Sequence, residues 1–157
     1  MTPASPHPLT VERRQEKRDA SLSIGIDEAF IARLVDEFYA AIRDDDLLGP
    51  IFMTRIHDWP AHLQQMNRFW QSILLGTASF NGNPMLKHIA IPHLAEHHFT
   101  RWLELFYATL RSIADDEAAI NMVGGKARMI ANSLLNAAYI HQRGALSTPA
   151  HVDLPHV

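Results

Sequence analysis

Apolar residues recur every three or four positions along four stretches of the chain, the period that lines one side of an α-helix. The first stretch opens at Asp27, a side chain suited to capping, and carries Phe30, Ile31, Leu34, Val35, Phe38, Tyr39 and Ile42. It stops in the Asp44-Asp45-Asp46 run and the Gly49-Pro50 break. The second follows Asp58 through Trp59, Leu63, Met66, Trp70 and Ile73 to Gly76, with Pro60 in a first turn that needs no internal donor. The third runs from Glu96 through Phe99, Trp102, Leu103, Phe106, Leu110 and Ile113. Asp115-Asp116 caps the fourth, in which Ala119, Ile120, Val123, Ala127, Ile130, Leu134 and Ala138 repeat until Gly144, with Gly124-Gly125 a weak point inside it.

Between the second and third stretches, GTASFNGNP cannot be regular. Pro84 opens a short helix there, Met85 to about Ala90, which Pro92 ends and which carries His88. Residues 1–23 are polar, Pro-bearing and mixed in charge, so they read as a flexible extension, at most a short exposed helix with no apolar face to bury. Residues 145–157 read as a frayed tail. No stretch alternates apolar and polar residues over six positions, and no internal repeat occurs. The expectation is an all-α fold with one domain over residues 24–144, its helices packed by ridges into grooves.

With 157 residues, 47% of them hydrophobic and 20% charged, the chain can bury a substantial core. Lys+Arg 14 against Asp+Glu 17 leaves a formal charge of −3, with none of the basic surplus that a phosphate backbone selects, so no nucleic-acid partner is expected. No apolar run approaches the roughly 20 residues needed to span a bilayer, and the N-terminus lacks the apolar centre of a secretory signal. A cytoplasmic protein without a membrane partner is expected, as a monomer or weak dimer. The absence of cysteine removes disulfides, thiolate nucleophiles and iron–sulfur clusters, so any metal chemistry rests on histidine or carboxylate.

Phosphate-cradling glycine loops, GxSxG, HExxH and helical Glu-x-x-His pairs are all missing. His93 and His97 stand four apart beside His98 and could share a metal, but the pair flanks a helix start, and surface histidines are the simpler reading. The aromatic stripe is, residue by residue, ordinary core packing. Tyr39, His62 and Trp102 differ in that each lies on or beside the apolar stripe of a different helix and carries a donor that needs a partner once buried. Converging on one apolar cavity, they would suit a diatomic molecule held by ferrous haem, whose gained negative charge such donors stabilise. His88, on its isolated short helix, is placed to supply the axial imidazole beneath the porphyrin.

The chain resembles the truncated haemoglobins, most closely their third group, through FYAAIRDDDLLGPIF at 38–52, DWPAHLQQMNRFWQSILLG at 58–76, FNGNPMLKH at 80–88 and HFTRWLELFYATL at 98–110. The resemblance covers about residues 24–140 and implies a truncated globin fold, a two-over-two helical sandwich with a short proximal helix, binding haem b. It implies His88 as the proximal iron ligand and Tyr39, His62 and Trp102 as distal ligand-binding residues. Phe38, Phe52, Met66, Phe69, Trp70, Lys87 and Ile91 become haem contacts. Gln65 stands where a basic residue often reaches a propionate, leaving Lys87, Arg68, Arg128 and Lys126 as candidates. The implied ligands are oxygen, nitric oxide, carbon monoxide and cyanide. Three donors around one ligand suit slow release, and so nitric oxide dioxygenation or peroxide chemistry with a partner reductase rather than bulk oxygen transport. His62 is open to three roles: stabilising ligand, coordinating iron or gating access. A haem-free globin-like sensor or interaction module is the alternative function.

Overall fold

In a computed structural model, residues 7–78, 80, 82, 87, 91–143 and 152–157 are described. Six helices and no strand occur among them: α1 (Pro8–Ser23), α2 (Glu28–Asp44), α3 (Gly49–Arg55), α4 (Trp59–Leu75), α5 (Glu96–Ile113) and α6 (Glu117–Arg143). The expected caps start three of them. Asp27 Oδ1 accepts the Phe30 N–H at 2.8 Å, Asp58 Oδ1 that of Ala61 at 3.1 Å, and Asp116 Oδ1 that of Ala118 at 2.9 Å.

α2 buries Ile31, Leu34, Val35, Phe38, Tyr39 and Ile42 and packs against both α4 and α5, while α5 runs along α6. The pairs α2–α4 and α5–α6 form the two-over-two sandwich, with the core between them. Among the described residues no helix is long and apolar enough to cross a membrane. The helix expected over 85–90 and the stop at Gly144 lie outside the described residues, apart from Lys87.

Three segments are more structured than the sequence pattern implies. α3 begins at Gly49-Pro50, because proline in a first turn costs no hydrogen bond. Asp45 Oδ2 holds the corner before it by accepting the Leu47 and Leu48 N–H groups at 3.2 and 2.9 Å. Glycine is required at position 49, since a Cβ there would stand 2.8 Å from the Arg43 carbonyl oxygen.

The N-terminal segment, expected as a flexible extension, is helical from Pro8 and seated on α4. Its anchor is polar: Ser21 is buried and donates to the Leu74 carbonyl at 2.6 Å. Gly76, which ends α4 at φ 68, lets the α1 backbone approach so closely that a Cβ would be 3.1 Å from the Arg14 carbonyl oxygen.

Residues 152–157, expected to fray, instead dock on α5 and α6. Tyr107 donates its hydroxyl to the Pro155 carbonyl at 2.7 Å, Arg128 Nε donates to the Leu154 carbonyl at 3.1 Å, and Leu154 is buried. The Gly124-Gly125 pair does not interrupt α6. Val157 covers Gly124, where a Cβ would meet the Val157 Cβ at 2.8 Å, whereas nothing lies within 4 Å of one at Gly125. Gly125→Ala is therefore expected to stabilise the chain by about 0.5–1 kcal/mol in thermal or denaturant unfolding. Gly124→Ala should gain nothing comparable and should hasten carboxypeptidase removal of the tail.

Candidate functional site

Consecutive residues on a helix point about 100° apart, so the adjacent Phe38 and Tyr39 of α2 face different neighbours. Phe38 meets Trp102 and Phe106 of α5 edge-on, at centroid distances of 5.3 and 5.0 Å. Tyr39 meets Phe52 of α3 at 6.0 Å and, on α4, His62 at 5.1 Å and Trp59 at 6.2 Å. The two rings touch each other at 5.1 Å, joining both sets into one cluster. Edge-to-face pairs of this kind contribute about 0.5–1.5 kcal/mol each beyond their area burial.

The expected distal residues come together accordingly. His62 sits directly on Tyr39, and Trp102 is joined to Tyr39 through Phe38. Trp102 and Phe106 stack at 5.4 Å with 19° between their planes, and Trp70 lies behind Phe106 at 5.2 Å. Phe69 continues the array from Trp70 to Phe80, at 5.5 and 5.2 Å. Phe38 and Trp70 are fully buried among these rings and brace the cluster from behind. Phe52, Met66, Phe69 and Ile91 are partly buried against the core, and Lys87 is exposed. His88 lies outside the described residues.

Burial pushes the Tyr39 phenol above its ordinary pKa, so the hydroxyl stays protonated, a donor, at all physiological pH values. Arg101, next to Trp102, donates Nε to Asp45 Oδ1 at 2.7 Å and ties α5 to the α2–α3 corner. Burial of Asp45 works against its charge, but the Leu48 N–H and the Arg101 guanidinium outweigh it and hold the carboxyl below the usual range. Of the basic residues suggested for propionates, Arg128 is engaged by the tail through Asp153 at 2.6 Å, and Arg68 is exposed.

Trp59 and Arg43 belong to this corner and were not among the site residues expected from the sequence, where Trp59 figured only in the apolar stripe of α4. The Arg43 guanidinium carbon lies 3.6 Å from the Trp59 ring centroid. The usable signal was spacing: Trp59 precedes His62 by three residues, one turn of α4, and carries a donor of its own. Its Nε1 is buried with no acceptor among the described residues.

The histidines at 93, 97 and 98 do not make a metal centre. Among the described residues no three histidine, aspartate or glutamate side chains gather to hold an ion. His93 takes a left-handed turn at φ 64 before α5 begins, so the four-residue spacing does not set it above His97 on one helix face. His98 Nδ1 is occupied, accepting the Ala95 N–H at 3.0 Å.

The model of the bacterial-like globin family matches residues 22–134. The group 3 truncated hemoglobin of Campylobacter jejuni is 35% identical over 118 residues, covering 73% of this chain and 92% of that protein. The crystal structure of the group III truncated hemoglobin from Campylobacter jejuni aligns with a TM-score of 0.68 at 36% identity, over 73% of this chain and 92% of that one. The chain belongs to the bacterial-like globins, among the group III truncated haemoglobins. Membership makes it a haem globin with a ligand-binding site, in a family that binds diatomic gases.

The His98 contact gives a pH prediction. Burial and the neighbouring His97 charge lower the His98 pKa. The stability it contributes is full above the ordinary imidazole value near 6.5 and is lost as pH falls through the lower folded value. Unfolding curves at neutral pH should show His98→Leu less stable by about 1 kcal/mol. The difference from wild type should shrink on acidification toward pH 5.

Proposed function

We propose that the chain binds haem b through His88 and receives a diatomic ligand, oxygen or nitric oxide first among them, beside Tyr39, His62 and Trp102. The observation that carries this reading is the corner itself: two aromatic donors joined by Phe38, and an imidazole packed on one of them, in an otherwise apolar setting. The residues fit the cofactor. Flat apolar and aromatic side chains suit a porphyrin face, and the buried Trp59 Nε1, lacking an acceptor, marks a corner whose polar groups are not all satisfied within the described protein.

Haem, when bound, supplies the iron at which small diatomic molecules are held. Everything else falls to the chain. Tyr39, kept protonated by burial, donates its hydroxyl toward the ligand; Trp102 donates its indole N–H, and His62 offers an imidazole at the same corner. Phe52, Met66, Phe69 and Ile91 exclude water, which strengthens each of those hydrogen bonds. Phe38 and Trp70 hold the donors at fixed spacing from behind.

Donors preorganised in this way slow ligand release and favour charge build-up on the ligand, which suits redox chemistry with nitric oxide or peroxide better than bulk oxygen transport. A reductase that keeps the iron ferrous is the partner such chemistry requires.

The absorption spectrum tests the reading. Purified wild type should be red with a sharp Soret band, and His88→Ala should lose the band or shift it and retain haem poorly. Colourless wild-type protein that takes up no added hemin would contradict the proposal. Oxygen dissociation from the ferrous protein, followed by stopped flow, should quicken about tenfold or more in Tyr39→Phe and Trp102→Leu, the loss expected for a hydrogen bond to a charged partner. Rates equal to wild type would remove the distal role of those side chains.

A further inference from the structure

Trp59 enters the proposed haem site only as a buried donor without an acceptor, and what holds its ring has a role of its own. Trp59 is the first residue of α4, one turn before His62, and three groups hold its ring. The Arg43 guanidinium lies over the indole at 3.6 Å, His62 meets it edge-on at 5.7 Å and 84°, and Tyr39 meets it at 6.2 Å and 60°. These contacts favour the packed position. The buried Nε1–H, which finds no acceptor among the described residues, favours release toward water. The ring is thus held by contacts at its face and edges, while its one polar atom gains nothing by staying packed.

His62 packs against that ring. Its ring is clasped edge-on between Tyr39 and Trp59, so any swing of the imidazole out of the corner breaks its contact with the indole. Arg43 is itself exposed and reaches the indole from the last turn of α2, where a cation is also favoured by the helix end. A surface side chain thus bears, through one ring, on an imidazole at the ligand corner.

We propose that Arg43 and Trp59 form a latch that keeps the His62 imidazole against Tyr39 and so sets how often small ligands gain access past it. The latch rests on the haem reading for its purpose, but its geometry belongs to the chain alone. Both are positioning residues: neither touches the ligand, and each acts through His62.

Carbon monoxide recombination after flash photolysis of the haem-loaded full chain measures access. Arg43→Ala should speed association about two- to fivefold, the population shift that an exposed cation–π contact sustains. Trp59→Leu should do so at least as much, and Arg43→Lys should stay near wild type. In a His62→Leu background neither Arg43→Ala nor Trp59→Leu should change the rate. Modification of His62 by diethyl pyrocarbonate, mapped by mass spectrometry on the full chain, should rise in the same order as the association rates. Should Trp59→Leu fail to fold, the exposed Arg43 position still decides.

Wild-type values for Arg43→Ala in both measurements overturn the latch, as does a rate change that persists without His62. A chain that takes up no hemin contradicts the haem reading instead, and the modification rates then still judge the latch.

Discussion

The placement of Phe38 beside Tyr39 on one helix is the constraint from which the rest of the structure follows. Two adjacent rings on α2 diverge by the helical turn between neighbours, so one is committed to α5 and the other to α3 and α4. The pair therefore does two jobs at once. Phe38, only 1% exposed, ties the two layers of the sandwich, and Tyr39 brings a hydroxyl to the place where those layers meet. Shifting α2 by one residue would put either Tyr39 in the core with Ala40 at the site, or Phe38 at the site with Glu37 in the core. Few positions in the chain couple packing and chemistry so directly.

Around that pair the polar groups are arranged with different degrees of restraint. Tyr39 is fixed by burial, and Trp102 is stacked on Phe106 while its helix is tied down by the Arg101–Asp45 pair. His62 meets the edges of Tyr39 and Trp59, and Trp59 in turn meets a cation at the surface. The corner thus joins donors fixed by burial and stacking to an imidazole packed between two ring edges.

The four long helices were readable because each carries its own period, and three of them a capping aspartate as well; Asp27 and Asp58 cap at the residues expected. Tyr39, His62 and Trp102 could be named because each puts a donor on or beside an apolar stripe. What stayed hidden rests on contacts that hydrophobic patterning does not encode. α1 is seated by a buried serine and a glycine, Ser21 and Gly76, and neither raises the apolar content of its helix. The tail docks through backbone carbonyls onto Tyr107 and Arg128, groups that look solvated in a linear reading. Gly124 read as a defect of α6 because its reason, Val157, lies far along the chain. Trp59 was visible as a member of the stripe, but the spatial pairing with Arg43 on another helix was not.

The corner built on Phe38 and Tyr39 is proposed to receive a porphyrin, and two of the chain's tryptophans, Trp59 and Trp102, belong to that corner. Tryptophan emission during titration of the haem-depleted chain with hemin measures this directly. Emission should fall steeply and level off at one hemin per chain as the Soret band grows. Emission that stays unchanged, or that declines without saturating while no Soret band develops, would contradict it.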